Sequence, residues 1–173
     1  MIASRKIIYI LVCVAILIMG HAPWGQHHVY RQIHMLIMCS KLDSGAFEFS
    51  KNVVSYFQVH LPQAKARVAR APHEERIYAL MKTNQIPLAL LSYDLIEKII
   101  ERKEKFATYL TEEAKVLFFF SDMVLISNNQ FPEKKSKIIF DSLIKASGKE
   151  EFEKIGFQKK NNFSIPFFKS MEK

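Results

Sequence analysis

A chain of 173 residues is long enough for one domain with a full core and too short for two α/β lobes joined by a linker. With 49% hydrophobic residues, 5 Gly and 6 Pro it is globular rather than disordered or fibrous, and 2 Cys exclude a disulfide-stapled miniprotein. Lys+Arg 25 against Asp+Glu 17 give a formal charge of +8, which favours an anionic ligand, lipid or acidic partner wherever it is more than a solvated surface.

Ser4, Arg5 and Lys6 precede an apolar run over residues 7–19, the cationic-then-apolar order of a secretion signal. Export is therefore expected, with residues 1–25 as a signal peptide or signal anchor. Gly20 and Ala22 offer a small-x-small cleavage site, but Pro23 would follow the cut, so an uncleaved anchor stays open beside the favoured signal peptide. The run falls short of the roughly 20 residues a bilayer core takes, while Trp24 suits an interface. The expected compartment is the periplasm, with attachment to the inner membrane through residues 7–24 as the variant. Cys13 lies in the apolar run, so cleavage leaves Cys39 alone and no intramolecular disulfide can form. Leu36-Ile37-Met38-Cys39 has a bulky Met where a lipobox takes a small residue, so Cys39 reads as a buried strand residue. Loss of Arg5 and Lys6 would leave the mature chain at about +6.

Residues 34–40, HMLIMCS, form an apolar run that predicts a strand buried on both faces, the first of a parallel sheet. After Lys41-Leu42-Asp43-Ser44-Gly45, the residues Ala46, Phe49, Val53 and Phe57 recur at three- and four-residue spacing. They predict an amphipathic helix that ends at His60-Leu61-Pro62. Residues 64–71 alternate small apolar with basic side chains as a second strand, and Pro72 opens a helix carrying Ile77, Leu80 and Met81. Residues 86–91, IPLALL, are the third buried run. Ser92 then caps a helix from Tyr93, with Asp94 in its first turn and Leu95, Ile96, Ile99 and Ile100 facing inward.

Three strand–helix units in a row predict an α/β domain, a three-layer doubly wound mostly parallel sheet. Residues 101–113 read as a charged surface connection, and 116–120 and 123–126 as strands broken or bent near Ser121-Asp122. Phe131-Pro132 starts a last long helix with Ile139, Leu143 and Ala146 on its face and Gly148 as its stop. Residues 150–155 add a short helix. The single domain spans 26–156, and the basic tail 157–173 is surface, with Ile165, Phe167 and Phe168 able to pack back.

In an open α/β sheet, ligands collect at the carboxyl ends of the strands, where helix N-termini present unpaired backbone donors. Those positions are Asp43, Ser44 and Gly45 after the first strand, Arg70, Ala71 and His73 after the second, and Ser92 and Tyr93 after the third. Ser44-Gly45 can offer a hydroxyl and backbone N–H groups to a carboxylate, and Arg70 a bidentate charge. The plainer alternative makes Ser44 and Ser92 ordinary N-caps and Arg70 a strand-end surface residue. The candidate ligand-binding set is Ser44, Gly45, Arg70, His73, Ser92 and Tyr93.

His27, His28 and His34 match no established metal spacing, and His60 and His73 have no Cys or carboxylate partner at one, so no metal or cofactor is expected. There is no G-x-S-x-G, G-x-G-x-x-G, G-x-x-x-x-G-K-[ST], C-x-x-C or H-E-x-x-H, so no enzymatic activity is expected. Phe118, Phe119, Phe120 and Met123 read as core strand rather than a base-stacking platform, and Lys134, Lys135 and Lys137 as a solvated helix face, which leaves no nucleic-acid partner.

The order of segments in LDSGAFEFSKNVVSYF, then LPQAKARVARAPHEERIYALMKTNQIPLALLSYDLIEKI, resembles the first lobe of type II periplasmic solute-binding proteins, especially the TAXI group that serves TRAP transporters. Thr83-Asn84-Gln85-Ile86-Pro87-Leu88-Ala89 takes the place of that group's polar turn leading into the third strand, with Pro87 where the family has Asp. MVLISNNQFPEKKSKIIFDSLIKA looks like the returning strand and late helix of the same lobe. The resemblance covers residues 34–146 and implies a binding protein without catalysis, taking a small anionic solute or an envelope protein partner through the strand ends. The second lobe is absent from this chain, because residues 121–128 run straight into the late helix. A vacated lobe face supports the alternative of a membrane-anchored accessory or assembly subunit of an envelope complex, possible as an oligomer.

Overall fold

The computed structural model describes residue 14 and residues 29–31, 33–102, 105–120 and 122–146. The chain divides into two units, Met1–Ile33 and His34–Lys173. In the first, Val14, Val29, Tyr30, Arg31 and Ile33 are helical. The expected signal segment lies outside the described residues except for Val14, as do Gly148, the helix at 150–155 and the tail. Among the described residues, no helix is long and apolar enough to cross a membrane.

The second unit begins with β1 (Leu36–Ser40), all five residues of which are buried. Helix α1 (Ser44–His60) follows, capped by Asp43, whose side chain accepts from the Ala46 N–H. It stops at Leu61, because Pro62 disfavours the helical conformation of the residue before it. A 3-10 turn, Pro62–Ala64, closes on Lys65 at φ 46°, and β2 (Arg67–Ala71) starts three residues later than the alternation predicts. Helix α2 (Glu74–Lys82) has Glu74 and Glu75 in its first turn, where carboxylates suit the helix dipole. It ends on Asn84 in the left-handed region, φ 55°, with Gln85 N–H donating to Leu80 O at 2.8 Å.

Strand β3 (Leu88–Ser92) leads directly into α3 (Tyr93–Glu101), whose cap is Ser92 as expected: its Oγ accepts from the Leu95 N–H at 3.2 Å. The expected surface connection is instead helix α4 (Lys105–Glu112), which buries Phe106, Ala107, Tyr109 and Leu110. Strands β4 (Lys115–Phe119) and β5 (Met123–Ser127) are followed by α5 (Glu133–Ala146).

The five strands form one sheet in the order β2-β1-β3-β5-β4. The β1–β2 and β1–β3 pairs are parallel, whereas β5 runs antiparallel to both β3 and β4. The sheet is thus mixed and mostly parallel. Alternate side chains of each strand feed two separate cores. Ile37, Cys39, Leu88, Leu90 and Leu125 pack with Val53, Phe57 and Leu143 on the face covered by α1 and α5. Leu36, Met38, Ala89, Leu91, Val124 and Ile126 pack with Ile77, Leu80, Ile96, Ile99 and Leu110 on the face covered by α2, α3 and α4. In β4 the register shifts between Val116 and Phe118, and this irregularity lets neighbouring Leu117 and Phe118 enter the same core. The three-layer α/β expectation therefore holds at the level of the sheet and its two helical faces.

Candidate functional site

Chain direction places a natural opening beside β1 and β3. The chain leaves β1 through α1 towards β2 on one face, then returns through α2 to β3 on the other, so the connections diverge at the carboxyl ends of these two neighbours. Such a switch point is where open α/β sheets carry their ligands. A cleft of about 610 Å³ lies there, walled by the loop before α1, the first turns of α1 and α3, and the β4–β5 turn at Asp122 and Met123.

Asp43 holds two of these walls together. Its Oδ1 accepts from the Ala46 N–H at 3.2 Å, and its Oδ2 accepts from the Ser92 N–H at 2.9 Å. The third wall is tied in by the Tyr93 N–H, which donates to the Asp122 carbonyl at 3.0 Å. Gly45 faces Met123: a Cβ built on it would stand 3.2 Å from the Met123 Cε. A side chain at residue 45 would therefore press on the Met123 side chain at the cleft wall.

Of the six expected site residues, Ser44, Gly45, Ser92 and Tyr93 all line this cleft. Ser44 is not the cap of α1 but its exposed first residue, since the Asp43 carboxylate takes that role. Tyr93 is 8% exposed, and burial, reinforced by the Asp122 carboxylate, pushes its phenol up to about 12. It is therefore a neutral phenol at physiological pH. Arg70 and His73 do not line the cleft. The Arg70 guanidinium stacks 4.0 Å over the Phe47 ring, and His73 Nδ1 pairs with the Glu75 carboxylate at 2.6 Å. Both belong to the β2 side of the sheet, because β2 is an outer strand among the described residues and its carboxyl end lies on the far side of β1 from β3.

Asp43, named among the strand-end positions but not in the candidate set, also lines it, as do Asp94, Glu97, Lys98 and Asp122, which the strand-end reading left out. The lining thus carries four carboxylates against one ammonium. Asp43 had a sequence signal, an Asx residue three positions before the first helical turn closes. The other four reach the cleft only through folding of α3 and the β4–β5 turn. Among the described residues, no three His, Cys, Asp or Glu side chains converge on a metal position. His34 Nδ1 is hydrogen-bonded to the Lys65 carbonyl at 3.0 Å, and His27 and His28 lie outside the described residues.

Compared with known proteins, the chain matches no family model, no curated protein and no solved structure at a significant level.

Proposed function

We propose that this domain is a non-catalytic binding module that takes a small organic molecule bearing a protonated amine in the cleft at the carboxyl ends of β1 and β3. The observation that carries the reading is the Asp43 carboxylate, which already occupies the position an anionic ligand would take. It accepts from Ala46 and Ser92 N–H groups at the starts of both α1 and α3, so the two helix N-termini hold an anion supplied by the chain itself. A second carboxylate from solution would meet Asp94, Glu97 and Asp122 as like charges. The small anionic solute implied by the sequence resemblance is thus replaced by one of opposite charge. An organic cation is favoured over a bare metal ion because the carboxylates are spread round the rim rather than gathered at one point.

Binding without chemistry is supported by the lining, which among the described residues holds no His or Cys to activate Ser44 or Ser92. The likeness to one lobe of a type II solute-binding protein draws support from the antiparallel β5 inserted between β3 and β4 and followed by the long α5, the returning strand and late helix that the resemblance implies. Export to the periplasm rests on the Arg5-Lys6 and apolar 7–19 pattern.

Thermal melting with putrescine, ethanolamine and choline against acetate and succinate tests the reading. The amines should raise the melting temperature and the carboxylates should not, and Gly45→Leu, which fills the cleft, should abolish the shift while retaining the native circular dichroism. Stabilisation by the carboxylates alone, or shifts that Gly45→Leu leaves intact, would refute it.

A further inference from the structure

Strand β2 is an outer strand and pairs with β1 alone among the described residues. Its ladder is anchored at both ends: the Arg67 N–H donates to Met35 O at 3.0 Å, and Ala71 O accepts from the Lys41 N–H at 2.8 Å. Alternation along a strand then turns the backbone groups of Arg67, Ala69 and Ala71 towards β1, and those of Val68 and Arg70 out from the sheet. The strand holds an unbroken register of five pairs, with no bulge and no proline. Those are devices with which sheet edges are ordinarily closed to further pairing.

The edge is also strongly basic. Arg67 and Arg70 are exposed, as are Lys65 before the strand and Arg76 after it. None of the four is ion-paired among the described residues, and the nearby carboxylates are engaged elsewhere: Glu74 with Arg102 at 3.0 Å and Glu75 with His73. Arg67 and Arg70 stand on opposite faces of the strand, and Phe47 supports the Arg70 guanidinium from below at 4.0 Å.

We propose that the β2 edge is a docking site for an extended acidic segment of a partner protein, which adds as a further strand. Its backbone pairs with the outward N–H and C=O groups of Val68 and Arg70, and its carboxylates face Arg67 and Arg70. A second copy of this chain is the poorer occupant, since edge-to-edge pairing of two β2 strands would set like guanidinium groups against each other. The surface is distinct from the cleft, none of whose lining residues it shares.

The test is hydrogen exchange of the full chain with and without a synthetic Glu-Glu-Val-Val repeat peptide, which carries carboxylates on both faces of a strand. In the free protein the Val68 and Arg70 amides should exchange fast, and the peptide should slow both. Val68→Pro removes one outward donor and no bond to β1, and should abolish that protection. Arg67→Glu with Arg70→Glu should weaken binding by about tenfold. Equal binding of a Lys-Lys-Val-Val peptide, protected Val68 and Arg70 amides in the free protein, or a dimer that the Arg67→Glu, Arg70→Glu variant leaves intact would each overturn the proposal. Tight binding of polyphosphate without protection of these two amides would do the same, because it would reduce the edge to a general anion patch.

Discussion

Asp43 uses both carboxylate oxygens on backbone amides from two different elements, whereas its neighbour Ser44 makes no cap and stands exposed. The two residues therefore separate sharply under mutation. Asp43→Ala removes a helix cap and the tie to Ser92 together, and should cost about 2 kcal/mol in urea unfolding. Asp43→Asn keeps an oxygen for Ala46 but presents an amide to the Ser92 N–H, so about half of that loss should remain. Ser44→Ala should stay within about 0.5 kcal/mol of the parent. An equal loss for the Ser44 and Asp43 variants would contradict the assignment of the cap. At this scale the sequence shows that a cap is needed near residue 43. Which of two adjacent capping residues supplies it depends on Ser92, forty-nine positions away, offering its N–H to the longer reach of the carboxylate.

Among elements, α4 shows how a local pattern is hidden by its flanks. Phe106, Ala107, Tyr109 and Leu110 have helical spacing, yet charged residues crowd both sides and the whole stretch reads as polar connection. In the fold, Leu110 is fully buried among Ile77, Ile96 and Ile126 in the core beneath α2, α3 and α4. Leu110→Ala should accordingly cost about 2–5 kcal/mol, while exposed Thr108→Ala in the same helix should cost less than about 0.5 kcal/mol. Comparable small effects at both positions, measured by thermal or urea melts, would return α4 to a surface connection. The direction of β5 was more accessible. Only Phe120, Ser121 and Asp122 separate it from β4, and parallel neighbours need a crossover of about a dozen residues, so the pair had to be antiparallel.

For the molecule as a whole, two buried phenols couple stability to alkaline pH. Tyr93 and Tyr109 both belong to the core beneath α2, α3 and α4. Burial is the main cause that raises each phenol to about 12, with Asp122 adding to the first and Glu113 and Tyr78 to the second. A phenol whose folded pKa lies above its unfolded value of 10 contributes stability that is complete below pH 10. That contribution is lost as pH rises from 10 towards 12, because the unfolded chain ionises first. Unfolding free energy should therefore fall across this window, and Tyr109→Phe should flatten the fall. The Tyr109 hydroxyl has no hydrogen-bond partner among the described residues, so the variant forfeits little at neutral pH. A profile unchanged by Tyr109→Phe, or tyrosinate absorbance that develops at pH 10 in the folded protein, would show that the phenol is accessible to water.

Strand and helix positions for β1, α1, α2, β3, α3 and α5 were determined by the sequence itself, because buried runs and three-to-four spacing act locally along the chain. So was the end of the sheet at which a cleft would open, which follows from strand–helix alternation. Only the tertiary structure decided which charges line that cleft. The carboxylates of Asp43, Asp94, Glu97 and Asp122 come from three separate segments, and charges add in space rather than along the chain, so a basic chain can carry an acidic cleft. Arg70 and His73 were drawn from strand-end positions like the others, yet strand order put them at the outer edge of the described sheet, because pairing of β2 with β1 is a long-range choice that no local pattern records.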